Sequence, residues 1–245
     1  MLKEQLPGGK PKPVSFQCSE LSILYALMNK LKDRQTGLLF GSYCADALSL
    51  GVHWIYDPNE LAQKHGRVSH YKAPGADSYH PRKQAGDQGH VGDQSLCLLK
   101  FLARTKGWDT VAFMDDWLGM WPDYDDYIDG ATKATLANVQ EQADKTKGGS
   151  DSVEIAGPAR IAPLLVFLSD SSQNYVVKAA VEQTMLTHSS KEAEESAVFL
   201  AQAGYRLMHG ADLASTLLET SPEWAFKAAK SVLSQNAVVA IAKLG

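Results

Sequence analysis

From Ser19 the apolar residues Leu21, Leu24, Tyr25, Met28 and Leu31 recur at spacings of three and four, the period that lines one face of an α-helix, with Ser19 placed to cap it. The same period predicts a helix from Thr36 to Gly51, with Leu38, Leu39, Tyr43, Ala47 and Leu50 as its buried stripe and Gly37 and Gly41 allowing close packing. Asp57-Pro58 starts a short helix to Lys64, because Pro tolerates the first turn and Asp can cap it. Residues 66–92 carry five Gly, two Pro and three His with no sustained period, and so read as a long loop of the kind that is usually functional. Helical periods resume over 93–106, 110–121, 129–143, 157–168, 175–187, 191–209, 213–218 and from 223 to the end. No segment alternates like a strand, and no repeat of fixed period is present. The expectation is a single globular, multi-helix, all-α domain over 19–245, preceded by a flexible N-terminal tail over 1–18.

Composition narrows the function classes. The 28 acidic residues outnumber the 24 basic ones along the whole chain, giving a net charge of −4 and no basic face for a phosphate backbone. Nucleic acid is therefore excluded as the expected partner. The N-terminal residues are rich in Lys, Pro and Gly and lack the apolar stretch of a secretory signal. No apolar run approaches the roughly eighteen residues of a membrane span, so no membrane association is expected. Cys18, Cys44 and Cys97 are an odd set without a CxxC spacing, which fits a reducing, cytoplasmic compartment.

Two stretches carry candidate chemistry. In GLLFGSYCADALSLGVHWIYD, residues 37–57, Asp46 interrupts an apolar stripe, and a buried carboxylate needs a partner. That partner is either a neighbouring helix end or a ligand. His53 opens an aromatic cluster and is either satisfied by a backbone carbonyl or free to move protons. In GDQGHVGDQSLCLLKFLA, residues 86–103, Asp93 and Ser95 stand before a strongly apolar helix. They are either its N-cap or a set of hard oxygen donors of the type that suits Mg²⁺.

The two stretches together are similar to the ADP-ribosylglycohydrolases. Gly41, Asp46, Ala47 and Leu48 fall into that family's GxxxGDAxG frame, and Gly92-Asp93-Gln94-Ser95 aligns with its TDDT signature. YIDGATKATLANV, the Gly-Gly-Ser-Asp-Ser run at 148–152, AGPARIAPLL and MLTHSS follow in the family's order, so the resemblance spans 36–210. It implies an all-α globule whose cleft holds two Mg²⁺ ions and an ADP-ribosyl group, and hydrolyses the glycosidic link to an acceptor, which is a small molecule or a protein. By the resemblance Asp93 would be a metal ligand and Gln94 would occupy a second ligand position. Ser150, Asp151 and Ser152 would approach a phosphate, and His188 would lie beside the nucleotide. Arg160 would sit behind the loop, either for substrate or as a structural cation. Asp46 or His53 would handle protons or water.

The departures from the family pattern fall on the chemistry. His53 replaces a carboxylate of the first motif, Gln94 replaces an aspartate, and no Gly-Asp-Thr-Asp-like segment follows before Gly245, so the C-terminal part of the family fold is expected to be lacking. Amide oxygen is a weaker Mg²⁺ ligand than carboxylate, so Mg²⁺ binding is expected to be weak or single-site. The HWIYD, GDQ and GPARIAPL wording resembles a branch of the family that includes relatives of jellyfish lens crystallins. Weak or altered hydrolysis is one expectation, and a non-catalytic ADP-ribose-binding or structural protein is the alternative.

Overall fold

The computed structural model describes residues 33–220. The expected tail, the helices at 19–31 and from 223 onward, and Cys18 lie outside the described residues. Within them the chain forms ten α-helices in the order α1 Asp33–Leu50, α2 Pro58–His65, α3 His90–Thr105, α4 Thr110–Met120, α5 Gly130–Glu141, α6 Ala156–Ala159, α7 Ala162–Phe167, α8 Gln173–Met185, α9 Lys191–Met208 and α10 Leu213–Thr220, with a 3₁₀ turn at Lys145–Lys147 before α6. Among the described residues there is no strand, only an isolated parallel bridge between Ser150 and His188.

The helix starts follow local chemistry. Asp57, Asp109 and Asp129 accept from the amides of Asn59, Ala112 and Thr132 and so cap α2, α4 and α5, while Ser172 and Ser190 cap α8 and α9. Apolar faces then converge. Leu98, Phe101 and Leu102 of α3 meet Phe113, Met114 and Trp117 of α4 and Leu164 and Leu165 of α7, all essentially inaccessible to solvent. Small residues let α8 and α9 approach closely, since Ala179, Ala180, Ala193, Ala197 and Ala201 are all fully buried.

Three expectations need correction. The stretch 157–168 is two short helices rather than one. Pro163 has no N–H to donate, and its ring would collide with the carbonyl four residues earlier, so the chain breaks at Arg160 and Ile161. The helix expected from Asp93 begins at His90, its N-cap is Gly89, and neither Asp93 nor Ser95 is the cap. In α1, Leu39, Ala47 and Leu50 are buried as expected, but a side chain at Gly37 or Gly41 would meet nothing within 4 Å, so among the described residues no close packing explains those glycines.

Candidate functional site

The site is built around the first turn of α3. Gly89 has no side chain with which to cap that helix, and the cap comes from another one: the Gly89 amide donates to Asp46 Oδ2 of α1 at 2.5 Å. Gly92 makes room for this carboxylate, because a Cβ there would lie 2.4 Å from Asp46 Oδ2 and 2.6 Å from Gln88 Oε1. Burial raises the Asp46 pKa, the Gly89 amide opposes that shift, and the nearby charge of Asp93 adds to it. Asp46 therefore bonds a neighbouring helix end and also shares its surroundings with Asp93.

Asp93 faces a cation of the protein's own. Lys83 Nζ donates to Asp93 Oδ2 at 2.6 Å, and the Tyr124 hydroxyl donates to the same oxygen at 2.8 Å. Both partners of the ion pair are largely shielded, with side chains 16% and 19% exposed. Burial raises the Asp93 pKa, while Lys83 and Tyr124 pull it back toward the charged form.

Gln94 points the other way, into the core. Its Oε1 accepts from Trp117 Nε1 at 2.7 Å and from Arg160 Nη1, and its Nε2 lies 3.1 Å from His90 Nε2. Arg160, placed by the break between α6 and α7, is 1% exposed and also donates to Thr187 Oγ1. With its amide oxygen turned to the guanidinium, Gln183 accepts from Arg160 Nε at 2.8 Å. Burial lowers the Arg160 pKa to about 10, which leaves it charged at neutral pH. His90 in turn bonds Asp129 Oδ2 at 2.6 Å.

The 148–152 loop and His188 flank this layer. Ser150 is buried, its N–H donates to Thr187 O at 3.0 Å and its hydroxyl donates to the same carbonyl at 2.8 Å, so both of its donors are consumed internally. Asp151 is exposed, and Gly149 and Ser152 are half-buried, so this part of the run is open to a ligand. His188 is buried against Gly157, where a Cβ would fall 2.8 Å from its Nδ1. Its Nδ1 lies 2.9 Å from Thr187 Oγ1, whereas its Nε2 has no partner among the described residues. Burial and the charge of Arg160 lower its pKa to about 4, so the ring is neutral at pH 7.

His53 sits on the other flank. It is exposed, with Nδ1 3.0 Å from His80 Nε2, and His80 Nδ1 lies 2.7 Å from Asp126 Oδ2. Trp54, Tyr79 and Tyr127 pack around these rings. Trp54 has a φ of +72°, a left-handed conformation that costs a bulky residue on the order of 1–3 kcal/mol and persists where the surroundings enforce it.

Residues that bond or electrostatically influence one another thus link Asp46, Asp93 and His53 around the start of α3, with Gln94, Arg160, Ser150 and His188 in a buried layer behind. Lys83, Tyr124, His80, Asp126, His90 and Asp129 complete the site and were not singled out from the sequence. The signal for them was the acidic and aromatic run WPDYDDYIDG at 121–130, opposite the His-bearing loop 66–89.

Residues 27–244 match the ADP-ribosylglycohydrolase family. The chain belongs to that family. It is similar to Crystallin J1A of Tripedalia cystophora, 27% identical over 201 residues covering 75% of this chain and 61% of the relative. Crystallin J1B of the same organism is 27% identical over 199 residues, with the same coverage of 75% and 61%. A solved ADP-ribosylglycohydrolase-related protein complex shares the fold, with a TM-score of 0.60 and 23% identity over 76% of this chain and 59% of that one. The chain spans about three fifths of the length of these relatives.

The described residues do not fit a dinuclear Mg²⁺ centre. Among the described residues no three His, Cys, Asp or Glu side chains are grouped to hold a metal. The Oδ2 of Asp93 already takes two donors, one of them an ammonium, and the Gln94 oxygen faces a guanidinium, which repels a cation.

Proposed function

We propose that this chain carries the ADP-ribosyl-binding part of a glycohydrolase-family protein, and that it acts on the N- or O-glycosidic link of an ADP-ribosylated small molecule or protein with weak or altered activity. The observation that carries this reading is the Lys83–Asp93 ion pair at the first turn of α3: a positive charge is already in place where a Mg²⁺ ion would otherwise supply it. The backbone N–H groups of Asp151 and Ser152 would meet phosphate, and the neutral His188 would line the nucleotide side. Free thiols at Cys44 and Cys97 are in keeping with a cytoplasmic location. No helix among the described residues is long and apolar enough to cross a membrane.

A structural or purely binding role on the same fold is the second reading. It is favoured by the likeness to the two J1 crystallins and by how fully Gln94, Arg160 and Ser150 are satisfied internally. Incubation with an ADP-ribosylated peptide, followed by chromatography for released ADP-ribose, separates the two. Slow release supports the hydrolase reading. ADP-ribose binding without release supports the second, and no binding at millimolar ADP-ribose overturns both nucleotide readings.

A further inference from the structure

Three side chains from three separate segments form a continuous line from the interior to solvent. Asp126 is buried, with its side chain 4% exposed, and follows α4; His80 is 1% exposed and lies in the loop before α3; His53 is exposed at the end of α1. The two imidazoles are nearly parallel, at 10° with centroids 5.2 Å apart. With both rings neutral, this geometry sets where the protons sit. A carboxylate only accepts, so His80 donates its Nδ1–H to Asp126 Oδ2, and a neutral His80 then has a lone pair on Nε2. That lone pair can only accept from His53 Nδ1–H, across 3.0 Å. The other nitrogen of His53, Nε2, is left bare of a proton.

We propose that Asp126 and His80 are positioning residues that hold His53 in the Nδ1–H tautomer, so that His53 Nε2 serves as a proton acceptor for water in the hydrolysis proposed above. The proposal rests on that reading for its substrate, but the relay stands on the three side chains alone. In the reaction the water proton passes to His53 Nε2 while the water oxygen forms a bond to the anomeric carbon. The glycosidic bond breaks with its electron pair on the leaving atom, which then takes a proton back from His53 Nε2–H. Net consumption is one water, and no oxidant or other reactant is required.

Two further features support a working site. Burial, with repulsion from His80 and His90 whenever those rings are protonated, lowers the His53 pKa to about 4, so the ring is neutral and able to accept at pH 7. Trp54 Nε1, beside the relay, and Asp126 Oδ1, the second oxygen of its inner carboxylate, are buried polar atoms without a partner among the described residues, a state that is uncommon unless a ligand or water completes it.

The test is nitrogen-15 NMR of histidine-labelled protein at pH 7, with the His53 and His80 signals assigned through His53→Gln and His80→Gln. The relay predicts that both rings carry their proton on Nδ1. In Asp126→Ala the preference at His53 should be lost, with its proton moving largely to Nε2, the usual position in free imidazole. His53 protonated on Nε2 in the unsubstituted protein overturns the proposal whether or not any variant folds. So does an Asp126→Ala protein of unchanged circular dichroism in which the His53 signal stays as it was. None of these readouts depends on turnover. Failure to release ADP-ribose therefore counts against the function proposed above, while the wrong tautomer counts against the relay.

Discussion

At the residue scale, the site depends on two small adjustments around α3. A glycine within a helix ordinarily costs about 1 kcal/mol relative to alanine, so Gly92→Ala should stabilise if helix propensity decides. Here the added Cβ would meet the Asp46 carboxylate at 2.4 Å and Gln88 Oε1 at 2.6 Å. The steric effect wins, and urea denaturation should show Gly92→Ala destabilised by about 1–3 kcal/mol. A stabilised variant would show that Asp46 does not need its place against the helix start. Lys83→Met should act differently. It leaves Asp93 with Tyr124 as its remaining donor, so the Asp93 pKa should rise further. Thermal unfolding of the variant should then respond to millimolar Mg²⁺ more than the unsubstituted protein does, and equal responses would argue against Lys83 as the resident cation.

At the scale of elements, most helices were legible because their cause is local. Apolar spacing and the capping Asp or Ser are both written in adjacent residues, as at Asp57, Asp109, Asp129 and Ser190. The start of α3 was misplaced because its cap comes from Asp46, 43 residues away. The break at Arg160 was written in Pro163 but outweighed by the strongly apolar period around it. Lys83, His80, Tyr124 and Asp126 were not legible as a site because the two loops that carry them have no period to predict their meeting. That break lets Arg160 tie α3 to the turn after α8 through Gln94 and Thr187. Arg160→Met should strand these buried acceptors and cost about 1–3 kcal/mol in urea denaturation. Arg160→Lys should recover less than half of the loss, because an ammonium cannot reproduce the guanidinium's fan of donors. Full recovery with lysine would reduce Arg160 to a point charge.

At the scale of the whole molecule, stability should depend on pH in a stated direction. His188 has a folded pKa near 4 against an ordinary value of 6.5, so between those values the unfolded chain binds the extra proton. Stability should therefore fall as pH drops from about 6.5 to 4, by up to ~1.4 kcal/mol per pH unit for this one group. Asp129, held well below the usual carboxylate range by His90 and Thr132 against the effect of burial, adds a further loss below about pH 4. The raised carboxyls of Asp46 and Asp93 act in the opposite sense, since folding favours their protonated forms. A His188→Gln protein should show a shallower decline between pH 6.5 and 4, and an unchanged slope would remove His188 as its source.

If Lys83 stands in this family member where a metal centre would be expected, calorimetric titration of the protein with Mg²⁺, then with ADP-ribose in the presence of either Mg²⁺ or a chelator, will show it. No tight Mg²⁺ equivalents are expected, and the ADP-ribose affinity should differ by less than roughly threefold between the two conditions, under about 0.7 kcal/mol. Two tight Mg²⁺ equivalents, with ADP-ribose binding lost in chelator, would contradict it.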